Sequence, residues 1–256
     1  MPHDPLGHQN ALYTSSNPTR RRLHRQRRNL IIRCLRSCQG STCKASLEIG
    51  PGSCIYVPTL LQLSEQVTAA DIEPAFLDRA RDLAKHEPRL TVVCDDITRS
   101  QLPPGHYSLI LCTEVIEHLT ESSSALATMA DLLHADGHLV LSTPQRWSIM
   151  ESCARIALLP GIITAIRWLY QESVEPTGHI NLLTEKQLLR QCQAAGLRIT
   201  QQQRLGCYLP FIAEFGGLRG ARWLARLEKS IADSRWSWML WTQLYILEKS
   251  SSRPHV

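Results

Sequence analysis

This 256-residue sequence lacks long uninterrupted apolar runs, internal repeats and low-complexity tracts. The run Leu30 to Ile32 stops at Arg33, far short of the roughly seven to fifteen residues of a secretory signal core. The apolar stretch Ser152 to Tyr170 is broken by Pro160-Gly161 and carries Arg155 and Arg167. A membrane-crossing helix needs about twenty apolar residues, so this stretch is excluded as a span. Without repeats there is no solenoid or propeller to build, and a chain of this length buries one substantial core. Acidic residues are missing from Pro5 through Leu47, while eight arginines fall between Arg20 and Arg36. The nine cysteines are an odd number scattered through predicted strands and helices. No disulfide framework follows from them, and they point to buried thiols in a reducing compartment, the cytosol.

The most informative segment present is Ala45 to Asp71, which reads as strand, glycine turn, helix, and a second strand ending in a lone carboxylate. Gly50 and Gly52 follow the run Ser46 to Ile49, where glycine permits positive backbone angles and close approach of a ligand. Asp71 closes the second strand, where a carboxylate can accept hydrogen bonds from both vicinal hydroxyls of a ribose. A nucleotide cofactor is therefore expected. A dinucleotide fingerprint wants a third small residue where Ile55 stands, which argues against NAD. Glu48, Gly50 and Gly52 instead occupy the first three fixed positions of an acid-x-Gly-x-Gly-x-Gly pattern. That pattern resembles motif I of the class I methyltransferases, which use S-adenosyl-L-methionine. Cys54 replaces the third glycine.

Further segments match in order. Leu90 begins an apolar strand running into Asp95 and Asp96, then a Pro-Gly turn precedes the strand Tyr107 to Cys112 and the acidic loop behind it. His138 to Ser142 reads as a fifth strand, and Gly178-His179-Ile180 precedes an amphipathic helix ending at Ala195-Gly196. These resemble the later segments of small-molecule methyltransferases. Helical spacing over Pro74 to Lys85 and Ser122 to His134 makes helices alternate with strands. Alternation of that kind implies a parallel sheet with right-handed crossovers and ligands at the carboxyl strand ends. Arg198 to Arg204 and Leu240 to Glu248 supply two final strands. The expected fold is a Rossmann-like three-layer α/β sandwich around a mostly parallel seven-stranded sheet, and the resemblance makes the last strand antiparallel. The expected organisation is a basic arm and cap helix over 1–44 and a methyltransferase domain over 45–250, with lid-like insertions at 145–178 and 206–238.

The resemblance, which extends to the O-methyltransferases of ubiquinone biosynthesis, also assigns roles. Glu48 orients the methionine end of the cofactor through Gly50 and Gly52, Asp71 holds the ribose, Ile72 flanks the adenine and Asp96 meets its amino group. Ile97 and Glu114 complete the expected cofactor contacts. A hydroxyl acceptor needs a general base near the transfer point. His118 is the first candidate, since imidazole titrates near neutrality, and His179 the second; a helix-start structural role is the alternative for either. Glu114, Glu117 and His118 also show the acid-x-x-acid-His spacing that in the ubiquinone enzymes implies a divalent metal. No metal is assigned, because three ligands within five residues depend on loop geometry. Cys34, Cys38 and Cys43 miss the spacing of a radical iron-sulfur motif.

The acceptor is expected to be small and apolar and methylated at oxygen. The apolar residues at helical spacing in the two insertions either bury against the core or form a lid over the site. Trp223, Leu224, Leu227 and Ile231 alternate there with Arg222, Arg226 and Lys229. The arginine-rich arm reads either as a binder of polyanions or of an anionic membrane surface, or as a cap helix whose stripe of Leu23, Leu30, Ile31, Cys34 and Leu35 packs inward. The stripe favours the cap. Base-specific nucleic-acid methylation is not expected, since Thr113-Glu114-Val115-Ile116 stands where such enzymes carry an Asn/Asp-Pro-Pro-aromatic tetrad. An RNA-ribose or protein methyltransferase, and a non-catalytic scaffold with Cys54 as its first lesion, are the alternatives.

Overall fold

Central strands buried on both faces read as near-continuous apolar runs, as Leu109 to Cys112 and Leu139 to Leu141 do, whereas Ala45 to Ile49 is equally buried but interleaves Ser46 and Glu48 with its apolar residues. In the computed structural model, which describes residues 13–38, 43–157 and 179–250, Cys43–Ile49 forms β1, exposed only at Lys44. Tyr107–Thr113 forms β4 and Leu133–Pro144 forms β5. Around them lie β2, Ser64–Asp71, and the edge strand β3, Leu90–Cys94. The other edge is β6, Leu197–Leu205, and the chain returns between β5 and β6 as β7, Thr242–Lys249.

The order is β3-β2-β1-β4-β5-β7-β6. The pairs β1/β2, β1/β4, β2/β3 and β4/β5 are parallel, and β7 is antiparallel to both β5 and β6. The mixed seven-stranded sheet expected from the sequence is therefore present. Strand order reverses between β1 and β4, and in open α/β sheets ligands bind in the crevice at the carboxyl ends beside such a reversal.

One sheet face carries α4, Ser122–Leu132, and α6, Glu185–Ala194, through Leu126, Met129 and Leu188 over Ile110 and Leu139. The opposite face carries α1, Pro18–Ser37, α2, Val57–Leu63, and α3, Asp78–Ala84. There Ile31, Leu35 and Leu60 join Leu109, Leu111 and Val140 in a second cluster. Asn17 caps α1, accepting from the Thr19 and Arg20 N–H groups, and Pro18 stands at the first turn where its missing N–H costs nothing. Leu23, Leu30, Ile31, Cys34 and Leu35 of α1 are all buried.

Two helices were expected to be longer than they are. Pro74 to Lys85 divides into a 3-10 turn, Pro74–Leu77, and α3. The helix expected to reach His134 stops at Leu132, because Leu133 already pairs with Tyr107 of β4. Residues 149–157 form α5, Ile149–Ala157; most of the apolar stretch through Tyr170 lies outside the described residues. Within 206–238 the chain forms α7, Pro210–Phe215, and α8, Gly217–Ala232. A small third cluster of Leu23, Cys207, Ala213, Leu224 and Leu240 seals α7 and α8 onto α1. Leu224 is buried as its spacing suggests, whereas Trp223, in the same stripe, is exposed. No helix among the described residues is long and apolar enough to cross a membrane.

Candidate functional site

The turn after β1 is built on left-handed backbone. Gly50, Gly52 and Cys54 have φ of 69°, 46° and 58°. Gly50 is doubly required, since a Cβ there would lie 2.5 Å from Val115 Cγ2. Cys54 keeps the conformation of the glycine that it replaces, at a cost of about 1–2 kcal/mol for a side-chain-bearing residue. Its thiol is buried and pushed up to about 12 by that burial.

Glu48, on β1 just before the turn, is 1% exposed, and burial pushes its carboxyl up to about 8. Its Oε2 has no hydrogen-bond partner among the described residues. A buried acceptor left unmatched costs on the order of 1–3 kcal/mol, more for a charged group. A positively charged ligand group would satisfy it. Asp71 ends β2; its Oδ1 accepts from the Glu73 N–H at 2.9 Å, and its Oδ2 faces Gly50. Burial raises its carboxyl above the ordinary range. Ile72 beside it is 60% exposed, an apolar surface of the sort that an adenine ring would cover.

Asp96 is more committed. Its Oδ1 accepts from the Thr98 hydroxyl and N–H, its Oδ2 from Arg99 Nε, and the Thr98 bonds hold its carboxyl low. A carboxylate has about four acceptor sites, so a further donor can be taken. The side chain of Ile97 is buried in the core, leaving its backbone for any contact. Asp95 accepts from the Gln101 N–H. The orphaned Glu48 oxygen, the strand-end Asp71 and the exposed Ile72 together fit the cofactor that the resemblance implies.

Glu114 sits at φ 55° at the end of β4. Ser142 Oγ donates to its Oε1 at 2.9 Å, and Arg27 Nη1 of α1 donates to its Oε2 at 2.5 Å. Burial pulls on Arg27, but the neighbouring Glu114 charge outweighs it and holds the guanidinium protonated. Arg27 also lies over the Trp241 ring, 5.6 Å from its centroid. His24, one turn earlier, is kept neutral by burial, its imidazole lowered to about 3. Arg27 was not among the residues expected at the site. The signal was there: Leu23, Arg27 and Ile31 are spaced four apart, so this arginine sits on the buried stripe, where charge is almost never found unpaired.

The two candidate bases come together. The His118 and His179 rings are 5.3 Å apart at 61°. The loop carrying His179 is held by the Glu117 carbonyl, which accepts from the Ile180 and Asn181 N–H groups. His179 Nδ1 is 3.3 Å from Glu151 Oε1, and Trp241 Nε1 donates to that same oxygen at 3.1 Å. Glu117 is fully buried; Thr143 Oγ1 donates to its Oε2, while its Oε1 has no partner among the described residues. Burial, helped by Glu114, holds its carboxyl well above the usual range. One ligand atom each of Glu117, His118 and His179 lie within 4.8 Å of one another. This differs from the sequence triple Glu114, Glu117 and His118: Arg27 and Ser142 occupy Glu114, and His179 stands in its place. One carboxylate and two imidazoles suit a divalent transition metal.

Residues 47–141 match the family described as Methyltransferase domain. The ubiquinone biosynthesis O-methyltransferase of Schizosaccharomyces pombe mitochondria is 32% identical over 107 residues, covering 40% of this chain and 39% of that protein. That of Yersinia enterocolitica is 29% identical over 106 residues, covering 40% of this chain and 43% of the other. The match thus spans about two-fifths of the length of these curated relatives. Among solved structures, the N-methyltransferase NodS of Bradyrhizobium japonicum WM9, bound to S-adenosyl-L-homocysteine, aligns with a TM-score of 0.60 at 17% identity. The alignment covers 96% of this chain and 94% of that one. The likeness is one of fold.

Proposed function

From the premise that the chain carries a class I, S-adenosylmethionine-dependent methyltransferase domain, we propose that it methylates a small, lipophilic acceptor at oxygen. The observation that carries the reading is the facing pair His118 and His179 on the loops beside Glu117. Methylation of a hydroxyl requires removal of its proton, and an imidazole is the side chain suited to that near neutral pH. The relatives named for O-methylation in ubiquinone biosynthesis support oxygen as the acceptor atom.

The cofactor supplies an electrophilic methyl when bound, so the chain's own task is to bind, align and exclude water. Glu48 and the turn at Gly50 and Gly52 hold the methionine end, Asp71 the ribose, Ile72 and Asp96 the adenine. Arg27 ties the α1 cap to Glu114 over the strand ends. Alignment of this kind supplies roughly 7–11 kcal/mol of barrier reduction. Transfer of that methyl to the acceptor oxygen would release the thioether product, and one imidazole would take the hydroxyl proton. His179, whose Nδ1 lies 3.3 Å from the buried carboxylate of Glu151, gains from that charge on protonation and is the better placed to take it.

A second reading is favoured by the Glu117, His118 and His179 cluster. A divalent cation held by those three would acidify the acceptor hydroxyl as a Lewis acid, and the histidines would then be ligands rather than bases. Label transfer from methyl-tritiated S-adenosylmethionine tests the proposal, with lipophilic phenols and catechols, an RNA and a protein extract offered in parallel. Label in the extractable small-molecule fraction is expected. Label confined to RNA or protein overturns it.

A further inference from the structure

Helices α1 and α8 lie side by side and share a face that their own acids do not neutralise. On α1 there is no carboxylate, and the acids it meets are already matched: Glu214 by Arg20, Glu228 by Arg22 and Glu114 by Arg27. Arg21 and Arg25 are left without an ion pair among the described residues. So are Arg219, Arg222, Arg226 and Lys229, all exposed on α8. In a helix these four fall on one side, together with Leu218 and Trp223. Leu218 is 64% exposed and Trp223 48%, and Phe211 on the adjoining α7 is 72% exposed. Between the helices runs a groove of about 310 Å³ that Arg21, Arg25 and Arg222 line with Leu218 and the small side chains Ala221 and Ala225.

We propose that this α1/α8 face docks on an anionic phospholipid bilayer, with the arginines among the headgroup phosphates and Trp223, Leu218 and Phe211 reaching the acyl boundary. A polar face rich in Arg and Lys beside bulky apolar side chains is the arrangement by which helices lie in a membrane interface. Unpaired cations gain from the negative surface potential of such a leaflet. Nucleic acid is the other polyanion that would attract them. It offers no apolar phase for Leu218 or Phe211, and the observations therefore favour lipid. The long stems of the arginines let the charge stay with phosphate while the helix approaches.

The position of the face gives the docking a consequence. Arg27 of α1 reaches Glu114 at the candidate site, while Arg21 and Arg25 line the groove against α8. Helix α7 follows β6, whose last residue Leu205 pairs with Thr242 and, through it, lies level with Pro144 at the carboxyl edge of the sheet. A bilayer on α1 and α8 would thus lie against the same edge as the site, from which a lipophilic acceptor could pass. The docking surface itself stands without that acceptor reading.

The test is co-sedimentation of the full chain with vesicles of phosphatidylcholine alone and of phosphatidylcholine mixed with phosphatidylglycerol, at low and raised salt. A short single-stranded RNA is titrated separately. Binding to the anionic vesicles alone, weakening with salt, is expected. The double change Arg222→Glu and Arg226→Glu should weaken it by about tenfold or more. Arg81→Glu on α3 with Lys85→Glu at its C-cap, at the β3 edge, alters net charge equally and should leave binding unchanged. Trp223→Ala should reduce binding several-fold without altering its salt dependence. Each variant is checked by thermal melting and by cofactor titration, which these surface positions should leave intact. Equal binding to neutral and anionic vesicles, insensitivity to the α8 charge reversals, or tight RNA binding without vesicle binding would overturn the proposal. Insensitivity to Trp223→Ala would overturn its apolar half.

Discussion

Arg27, midway along α1, donates a hydrogen bond to Glu114 at the end of the fourth strand across 2.5 Å, joining positions 87 apart in sequence. Arg27 and Glu114 are both largely shielded, with 13% and 21% of their side chains exposed. Breaking a buried pair by removing one partner costs about 3–5 kcal/mol, and the residual exposure here places the expectation near the lower figure. Arg27→Ala should therefore destabilise the chain by about 3 kcal/mol in denaturant melts and loosen the attachment of α1 to the end of β4. Replacing both partners, Arg27→Met with Glu114→Gln, should recover much of the stability. Equal loss in the single and double variants would refute the pairing.

The buried acids set a pH dependence with a definite sign. Glu48 is raised from 4.5 to about 8 by burial, so the folded chain holds a proton that the unfolded chain releases. That contribution is fully present below pH 4.5 and is lost as pH rises through 8. Buried Glu117 acts in the same direction. His24 is lowered from 6.5 to about 3, so its contribution is present above pH 6.5 and is lost on acidification. Between pH 6.5 and 8 only the acids remain to oppose stability. Cofactor-free stability should fall there by up to about 1.4 kcal/mol per pH unit for each group. A cationic cofactor beside Glu48 favours the ionised form, so cofactor affinity should rise over the same window. Thermal melts and titrations across this range check both signs, and Glu48→Gln should flatten the affinity profile.

Cys54 occupies left-handed backbone, and relief of that strain works against loss of its buried sulfur. Cys54→Gly should leave stability within about 1 kcal/mol of the parent, because the roughly 1–2 kcal/mol of strain released offsets the lost burial. Cys54→Val combines a β-branched side chain with the same φ of 58° and should be clearly less stable than either. Chemical denaturation of the three proteins decides the order.

His118→Ala and His179→Ala distinguish the two roles left to these imidazoles. Loss of a general base should lower kcat by about 10²–10⁴-fold with cofactor affinity retained. If they serve instead as metal ligands with Glu117, prolonged chelation of the parent enzyme should reproduce the loss, and added divalent cation should restore it. Activity unchanged by chelation removes the metal reading.

The sheet was legible in the sequence for a physical reason: β4 and the second half of β5 are buried on both faces and show it as apolar runs, and glycine punctuates the turn after β1. Even so, β5 starts at Leu133 rather than His138, since pairing with Tyr107 overrides the helical spacing that precedes it. Glu48 and Asp71 were readable from their places at strand ends. The partners of the site were less so. Arg27 meets Glu114, and Trp241 meets Glu151, across separations of 87 and 90 residues, and no local spacing encodes such pairs. The replacement of Glu114 by His179 in the metal-competent cluster follows from the same limit. Local sequence places Glu114 beside Glu117, and only the fold gives Glu114 to Arg27.

The most direct test of the account is calorimetric titration of the parent chain and Asp71→Ala with S-adenosylmethionine and S-adenosylhomocysteine, with NAD as control. Binding of both sulfur cofactors but not NAD by the parent, and weakened binding with the fold intact in Asp71→Ala, is the expected result. No binding by the parent would contradict the enzyme reading, and undiminished binding by Asp71→Ala would contradict the placement of the ribose.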